Sequence, residues 1–305
     1  MKIKNKILNG FILIIVVLVF GCQKPGPVEI VDEQDDSKYI EVTALGNTND
    51  SIFVSSGIDT TGLISLENSK YFAKMILTGI RYDRTNRFGN IIKTEAISAE
   101  AIFLDKSKPI QQNGQIMTYP SFDVGNIKIN SDSLYKYQRR IRLQMPTVDS
   151  VIGYVYRLRK TYNYEQSYLW SADGKDNIGP FQVAFTPANV IQVLNLPPDT
   201  MHTSGPLYIK WECSNPTINI IISGEEDILY GQRKLRPVLN LRIKNNKGEI
   251  TLPVKILQMI PLKQFQRFLF TFSSESKIIT SVSGYPDPVL IHSASIHNVL
   301  LNVRP

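Results

Sequence analysis

From Tyr39 onward the chain is written in short runs whose apolar and polar residues alternate, and that period of two narrows its fold more than any other property. Arg140-Ile141-Arg142-Leu143-Gln144-Met145 sends polar and apolar side chains to opposite faces, as a strand half buried in a sandwich requires. The run 151–159 repeats the device, with Tyr154, Tyr156 and Leu158 on one face and Val155, Arg157 and Arg159 on the other. Glycine, proline, asparagine and aspartate close most runs. Gly46-Asn47-Thr48-Asn49-Asp50, for instance, divides runs 39–45 and 51–55 with residues that tolerate positive φ. Runs 69–82 and 91–104 follow. Alanine and glutamate leave a helix open over EAISAEAIFL, but apolar residues on alternate positions and the continuation into Ile102-Phe103-Leu104 favour a strand.

The stretch 114–134 alternates at Val124, Ile127 and Ile129 around Gly125, and Tyr168-Leu169-Trp170 leads through a polar turn, 171–177, into the run 181–185. Leu196-Pro197-Pro198-Asp199 and the small polar residues to Ser204 form the clearest interior break, so a domain boundary is expected there. Beyond it LYIKWE turns Leu207, Ile209 and Trp211 inward, and runs 219–222, 235–244, 249–253, 265–273, 278–282, 289–293 and 297–303 complete the chain. About eight short runs in roughly 100 residues is the spacing of an immunoglobulin-like sandwich. The expected fold is all-β: two β-sandwich domains, residues 39–196 and 205–305, joined by a linker at 197–204, the C-terminal one immunoglobulin- or fibronectin-III-like. The chain length suits two cores better than one.

Ahead of this body stands MKIKNKILNGFILIIVVLVFGC. Lys2, Lys4 and Lys6 precede an apolar run from Phe11 to Phe20, which closes on Val19-Phe20-Gly21-Cys22. As a helix the run rises only about 15 Å, half of a hydrocarbon core of about 30 Å. A basic n-region, a short apolar h-region and a small residue before the cut describe a removed secretory segment. The stretch resembles the signal peptide and lipobox of bacterial lipoproteins, with Phe20 bulkier than usual at its place. The resemblance implies cleavage behind Gly21, so that residues 1–21 are a signal peptide and Cys22 becomes a diacylated first residue. Two acyl chains suffice for stable anchoring where one would be marginal. Cys213, the other of the two cysteines, is then left without an intramolecular partner, and stability must come from packing.

Residues 22–38 follow as a flexible tether, with Pro-Gly-Pro, a cluster of acids and almost no apolar periodicity. Acidic residues soon after a lipidated cysteine resemble a signal for export to the cell surface in some bacterial groups. Here the acids begin seven residues beyond Cys22. The formal net charge of the whole chain is +7. Three of the positive charges are leader lysines, and the tether is acidic, so the folded body stays mildly basic. Such a body favours anionic surfaces, and in an exported protein acidic glycans or lipid headgroups fit that role better than nucleic acid.

KGEITLPVKILQMIP, residues 247–261, resembles a pattern of β-sandwich domains in bacterial lipoproteins. In that pattern a strand ends in an apolar residue and proline, and a short turn of helix carrying a leucine precedes a second proline. Ile250, Leu252-Pro253, Leu257 and Ile260-Pro261 hold those places here. With LYIKWE before it, the resemblance spans about a third of the chain and implies a fold, not an activity.

Catalysis needs a nucleophile, a base and an electrophilic stabiliser that can meet, and the supply is thin. His202 sits in the expected linker. His292 and His297, five apart, fall on opposite faces if one strand runs through both, and all three read as surface or turn residues. Ser-x-x-Lys occurs at Ser133–Lys136 and Ser274–Lys277 without the Ser-Asp-Asn and Lys-Thr-Gly elements that accompany it in penicillin-binding enzymes. The turn 171–177 lacks the ligand alternation and terminal glutamate of an EF-hand, so neither metal nor cofactor is expected. If the two arginine-bearing strands are neighbours, Arg140, Arg142, Arg157 and Arg159 form a basic stripe flanked by Tyr154 and Tyr156. Trp170, beside a polar turn, is the candidate exposed stacking platform, while Trp211 follows the inward face of its strand. The reading is a lipid-anchored protein of the bacterial envelope, expected at the outer membrane, with a non-catalytic binding or scaffolding role toward a glycan or an envelope protein. The alternatives are a glycan-acting hydrolase and a structural subunit of an envelope assembly.

Overall fold

The computed structural model describes residues 40–44, 53–54 and 71–304, the last with gaps at 87, 113, 145–146, 162–163, 165–166, 197–199, 228–232 and 266. The expected leader, Cys22 and the tether lie outside the described residues. In chain order the first strands are β1 (Ile40–Ala44), β2 (Phe53–Val54), β3 (Ala73–Thr85), β4 (Ile91–Phe103), β5 (Ile110–Gln112) and β6 (Gln115–Thr118). Then come β7 (Ile127–Ile129), β8 (Asp132–Ser133), β9 (Tyr135–Gln144), β10 (Thr147–Thr161), β11 (Tyr168–Ala172) and β12 (Phe181–Phe185). The later strands are β13 (Gln192–Val193), β14 (Thr200–His202), β15 (Leu207–Glu212), β16 (Thr217–Asp227), β17 (Arg233–Lys244) and β18 (Glu249–Leu252). The short helix α1 (Val254–Leu257) precedes β19 (Arg267–Thr280) and β20 (Val289–Arg304).

One long sheet, ordered β1-β17-β16-β19-β20-β3-β4-β10-β9, backs two smaller ones, β13-β15-β18 and β12-β11-β7-β8. The fold is an all-β sandwich. β13-β15-β18 against β17-β16-β19-β20 reproduces the A-B-E and C′-C-F-G order of an immunoglobulin-like domain. Ile209, Trp211, Ile250 and Leu252 of the small sheet meet Ile220, Leu241, Phe270 and Phe272 of the large one in its core. Burial follows the alternation of LYIKWE, and Trp211 is 2% exposed, its ring 6.4 Å from that of Phe272. α1 sits where Pro253 ends the preceding strand, and Ile256, Leu257 and Ile260 all enter this core. The second core lies between β12-β11-β7-β8 and β3, β4 and β10, with Trp170, Phe103, Tyr156, Met75 and Ile127 fully enclosed.

β20 belongs to both. Its front-face residues are Val289 and Ile291 in one core and Val299, Leu301 and Val303 in the other. Between them, on the same face by alternation, lie Ser293, Ser295 and His297. Each accepts a backbone amide from the chain that runs from β12 into β13: Ala188 N–H on Ser293 Oγ at 2.8 Å, Ile191 N–H on Ser295 Oγ at 3.0 Å, Val193 N–H on His297 Nδ1 at 2.8 Å. A buried connector must find partners for its amides, and this seam supplies them. It also explains two differences from the sequence reading. The runs 289–293 and 297–303 are one strand, as are 265–273 and 278–282, because the residues between them, 294–296 and 274–277, are ladder residues rather than turns.

The chain does not divide between the cores at one point. Ile40 and Val42 of β1 lie in the immunoglobulin-like core, whereas Val282, Tyr285, Val289 and Ile291 lie in the other. β20 pairs in parallel with β3, so the last strand and an early one stand side by side. Of the expected linker, residues 197–199 lie outside the described residues. Thr200–His202 pair in parallel with the end of β20, and Met201 is buried.

Candidate binding surface

β9 and β10 form an antiparallel hairpin at one end of the long sheet. The two arginine-bearing strands are therefore neighbours, but their register divides the expected stripe. Arg157 lies opposite Tyr135 and Val155 opposite Tyr137, so Arg157 and Arg159 share a face with Tyr135, Tyr137, Arg139 and Ile141. Arg140 alternates onto the other face with Lys136 and Gln138, and Arg140 Nη2 donates to Gln138 Oε1 at 3.1 Å. Arg142 lies opposite Asp149 in the ladder, and its side chain is outside the described residues. The register is set by a bulge between Val151 and Tyr154. There Gly153 has φ +114°, and a Cβ would stand 2.0 Å from the Ser121 carbonyl oxygen, so the close approach of segment 121 requires glycine. Ser121 pins the bulge: its N–H donates to Ile152 O, and its Oγ donates to Tyr154 O and accepts Tyr154 N–H.

The structure separates the other candidates. Arg157 is exposed and donates from Nε to Glu100 Oε2 at 2.7 Å, and Arg159 is exposed. Tyr154 is half-buried, with Lys136 Nζ 4.0 Å above its ring. Tyr156 and Trp170 are 0% exposed, so neither can offer a ring to a ligand. Trp170 is enclosed in the second core because it occupies an inward position of β11, whose burial alternates strictly. His292 and His297 are likewise buried, not surface residues. They lie on opposite faces of β20, His292 Nε2 3.1 Å from Glu275 Oε2 and His297 Nε2 3.4 Å from Asp83 Oδ2. Burial pushes the Glu275 carboxyl up, and its contacts with His292 and Lys277 outweigh that and hold it below the usual value.

A groove of about 600 Å³ opens between this hairpin and β6. Met117 and Thr118 form one wall; Tyr137, Arg139, Val155 and Arg157 lie along the other. Arg140 also reaches it, and among the described residues its lining holds three arginines and no carboxylate. Arg139 is half-buried. It donates from Nη1 to Tyr119 O at 3.0 Å and from Nη2 to Thr118 Oγ1 at 3.2 Å, both neutral acceptors. Loss of water around the guanidinium lowers its pKa. Tyr137 is 50% and Met117 55% exposed, which gives the groove apolar sides beside its charge. Counting the alternation from Arg140 leaves out Tyr137 and Arg139, and only the pairing of Arg157 with Tyr135 sets both on the face of Arg157.

On the opposite face of the hairpin lies a buried carboxylate. Asp123 Oδ2 accepts Lys136 Nζ at 2.6 Å and Lys175 Nζ at 2.9 Å, and Oδ1 accepts the Tyr156 hydroxyl at 3.0 Å and Gly125 N–H at 3.1 Å. Burial alone would push this carboxyl up, but the four donors prevail and hold it far below the ordinary range. Burial first, then the neighbouring carboxylate, raises the Tyr156 phenol well above its usual value. Every acceptor site is taken, so the cluster locks β10 to the 123–125 and 175–176 loops and offers no open chemistry. Among the described residues no group of three or more His, Cys, Asp or Glu side chains could hold a metal ion. Comparison with protein-family models and with curated proteins finds no match.

Proposed function

We propose that this is a lipid-anchored protein of the bacterial cell envelope, tethered through Cys22, whose sandwich body binds an envelope component in a non-catalytic role. The observation that carries the binding part is the groove beside β9: half-buried Arg139 with exposed Tyr137 on the same face, and no carboxylate in its described lining. A glycan hydrolase working here would need two carboxylates facing each other roughly 5 to 10 Å apart, and this lining offers none. The anchoring part rests on the leader, with three lysines, a short apolar run and a cysteine behind Gly21. It is tested by expressing the chain with Cys22→Ser and following membrane fractionation and incorporation of labelled palmitate. The wild-type chain partitions with the membrane and takes up label; the variant does neither. An unmodified Cys22 on a chain that keeps its leader defeats the reading. The binding part is tested by displaying a soluble form that starts at Gln23 on a glycan array, where failure to retain any polysaccharide counts against it.

A further inference from the structure

We infer that the groove is an acidic-saccharide site, in which Arg139 takes the carboxylate of a uronate unit and Tyr137 carries the face of its ring. The inference deepens the binding role just proposed and rests on it. Arg139 is the anchor for three reasons. It is half-buried, so its charge has lost part of its hydration, and charge in such a place is compensated by an anion or left at a cost. Its described contacts are a backbone carbonyl and a threonine hydroxyl, neither of which neutralises it. These use only part of the guanidinium's donor set, leaving an edge suited to the two oxygens of a carboxylate. Arg157, on the same face, has its charge partnered by the Glu100 carboxylate, which leaves Arg139 as the groove's anchor.

The ring partner follows from Tyr137. The same alternation that aims Arg139 into the groove sets Tyr137 two residues away, half-exposed, with Val155 opposite it in the ladder. A sugar face is apolar while its edge is wet, and an aromatic ring with one open face suits it. Met117 closes the far side. The volume lies in the range of small-molecule sites. A bare anion would use the arginines and leave the tyrosine idle. A flat apolar ligand would do the reverse. A uronate engages both.

The test is titration of the detergent-solubilised full chain with a polyuronate, a neutral glucan, a polysaccharide sulfated to matching charge density, and polyglutamate. The polyuronate binds, weakening as salt rises. Arg139→Gln weakens it by roughly ten- to hundredfold, the loss of charge-assisted hydrogen bonds. Arg139→Lys recovers part of this, since it restores charge without the fork. Tyr137→Ala, an exposed position that keeps the fold, weakens the polyuronate several-fold (about 1 kcal/mol). Arg159→Gln, outside the lining, leaves binding unchanged. Equal binding of the sulfated polymer overturns the carboxylate preference, and equal binding of polyglutamate overturns the saccharide. Glucan bound as tightly as polyuronate, or indifference to Arg139→Gln and Tyr137→Ala, overturns the site while leaving the broader binding role standing. Binding of none of the four overturns both.

Discussion

Asp123 is the residue on which the hairpin's inner face closes. Two ammonium groups, a phenol and a backbone amide converge on it, and no neutral side chain satisfies all four, because an amide nitrogen would meet Lys136 and Lys175 donor to donor. Its folded pKa lies below the ordinary 3.8, so the unfolded chain binds the proton first as pH drops. The stabilisation is therefore complete above that ordinary value and is lost as the pH falls through the folded one. Urea unfolding followed at several pH values should find a plateau from neutrality to about pH 5 and a decline below about pH 4. Asp123→Asn should cost about 2 kcal/mol at pH 7 and flatten that decline. A variant with wild-type stability and an unchanged pH profile would show that the four donors are satisfied by water at no loss.

At the scale of elements, β20 and the connector laid across it decide the architecture. Ser293, Ser295 and His297 look like a break in an apolar run, yet each takes an amide from a stretch about a hundred residues earlier, Ile191 to Ser295 being 104 apart. Ile191 is fully buried, so its N–H has no water to fall back on. Ser295→Ala should cost about 1 to 3 kcal/mol, the penalty of an orphaned buried donor, measured as a lowered denaturation midpoint with an unchanged slope. An effect near zero would mean that the connector lifts away from β20 and solvates its amides. The strands themselves were legible beforehand, because alternation is a property of each run alone: β12 and β15 have the bounds expected from sequence, and β4 is a strand despite its alanines. Which strands merge was not legible, since a polar residue inside a strand and one in a turn look alike until its partner is known. The same limit governed the hairpin. Two arginine-rich strands were recognisable and are adjacent, but the bulge at Gly153 and the pairing of Val155 with Tyr137 decide that Arg139, not Arg140, joins Arg157.

For the whole molecule, sharing β20 between two cores predicts a single cooperative unit. Each core holds one of the chain's two tryptophans, Trp170 in one and Trp211 in the other. Single-tryptophan variants, Trp170→Phe and Trp211→Phe, then report each core separately by fluorescence. Within each variant the fluorescence transition should coincide with unfolding of the whole body followed by circular dichroism, the criterion of two-state behaviour. A fluorescence transition displaced from the circular-dichroism one would show that the long sheet parts between β20 and β3. The parallel pairing of those strands, remote in sequence, makes such a fold one of high contact order.

The amino-acid order alone determined the all-β class, most strand positions and the inward face of Trp211. Each depends on neighbours within a few residues, where alternation and backbone restriction act directly. Only the tertiary structure decided that Trp170, Tyr156 and both C-terminal histidines are enclosed, that the serines of β20 are ladder residues, and that Arg139 and Tyr137 line the groove. Those outcomes turn on register and on partners far along the chain, and shifting a strand by a single residue sends every side chain to the opposite face.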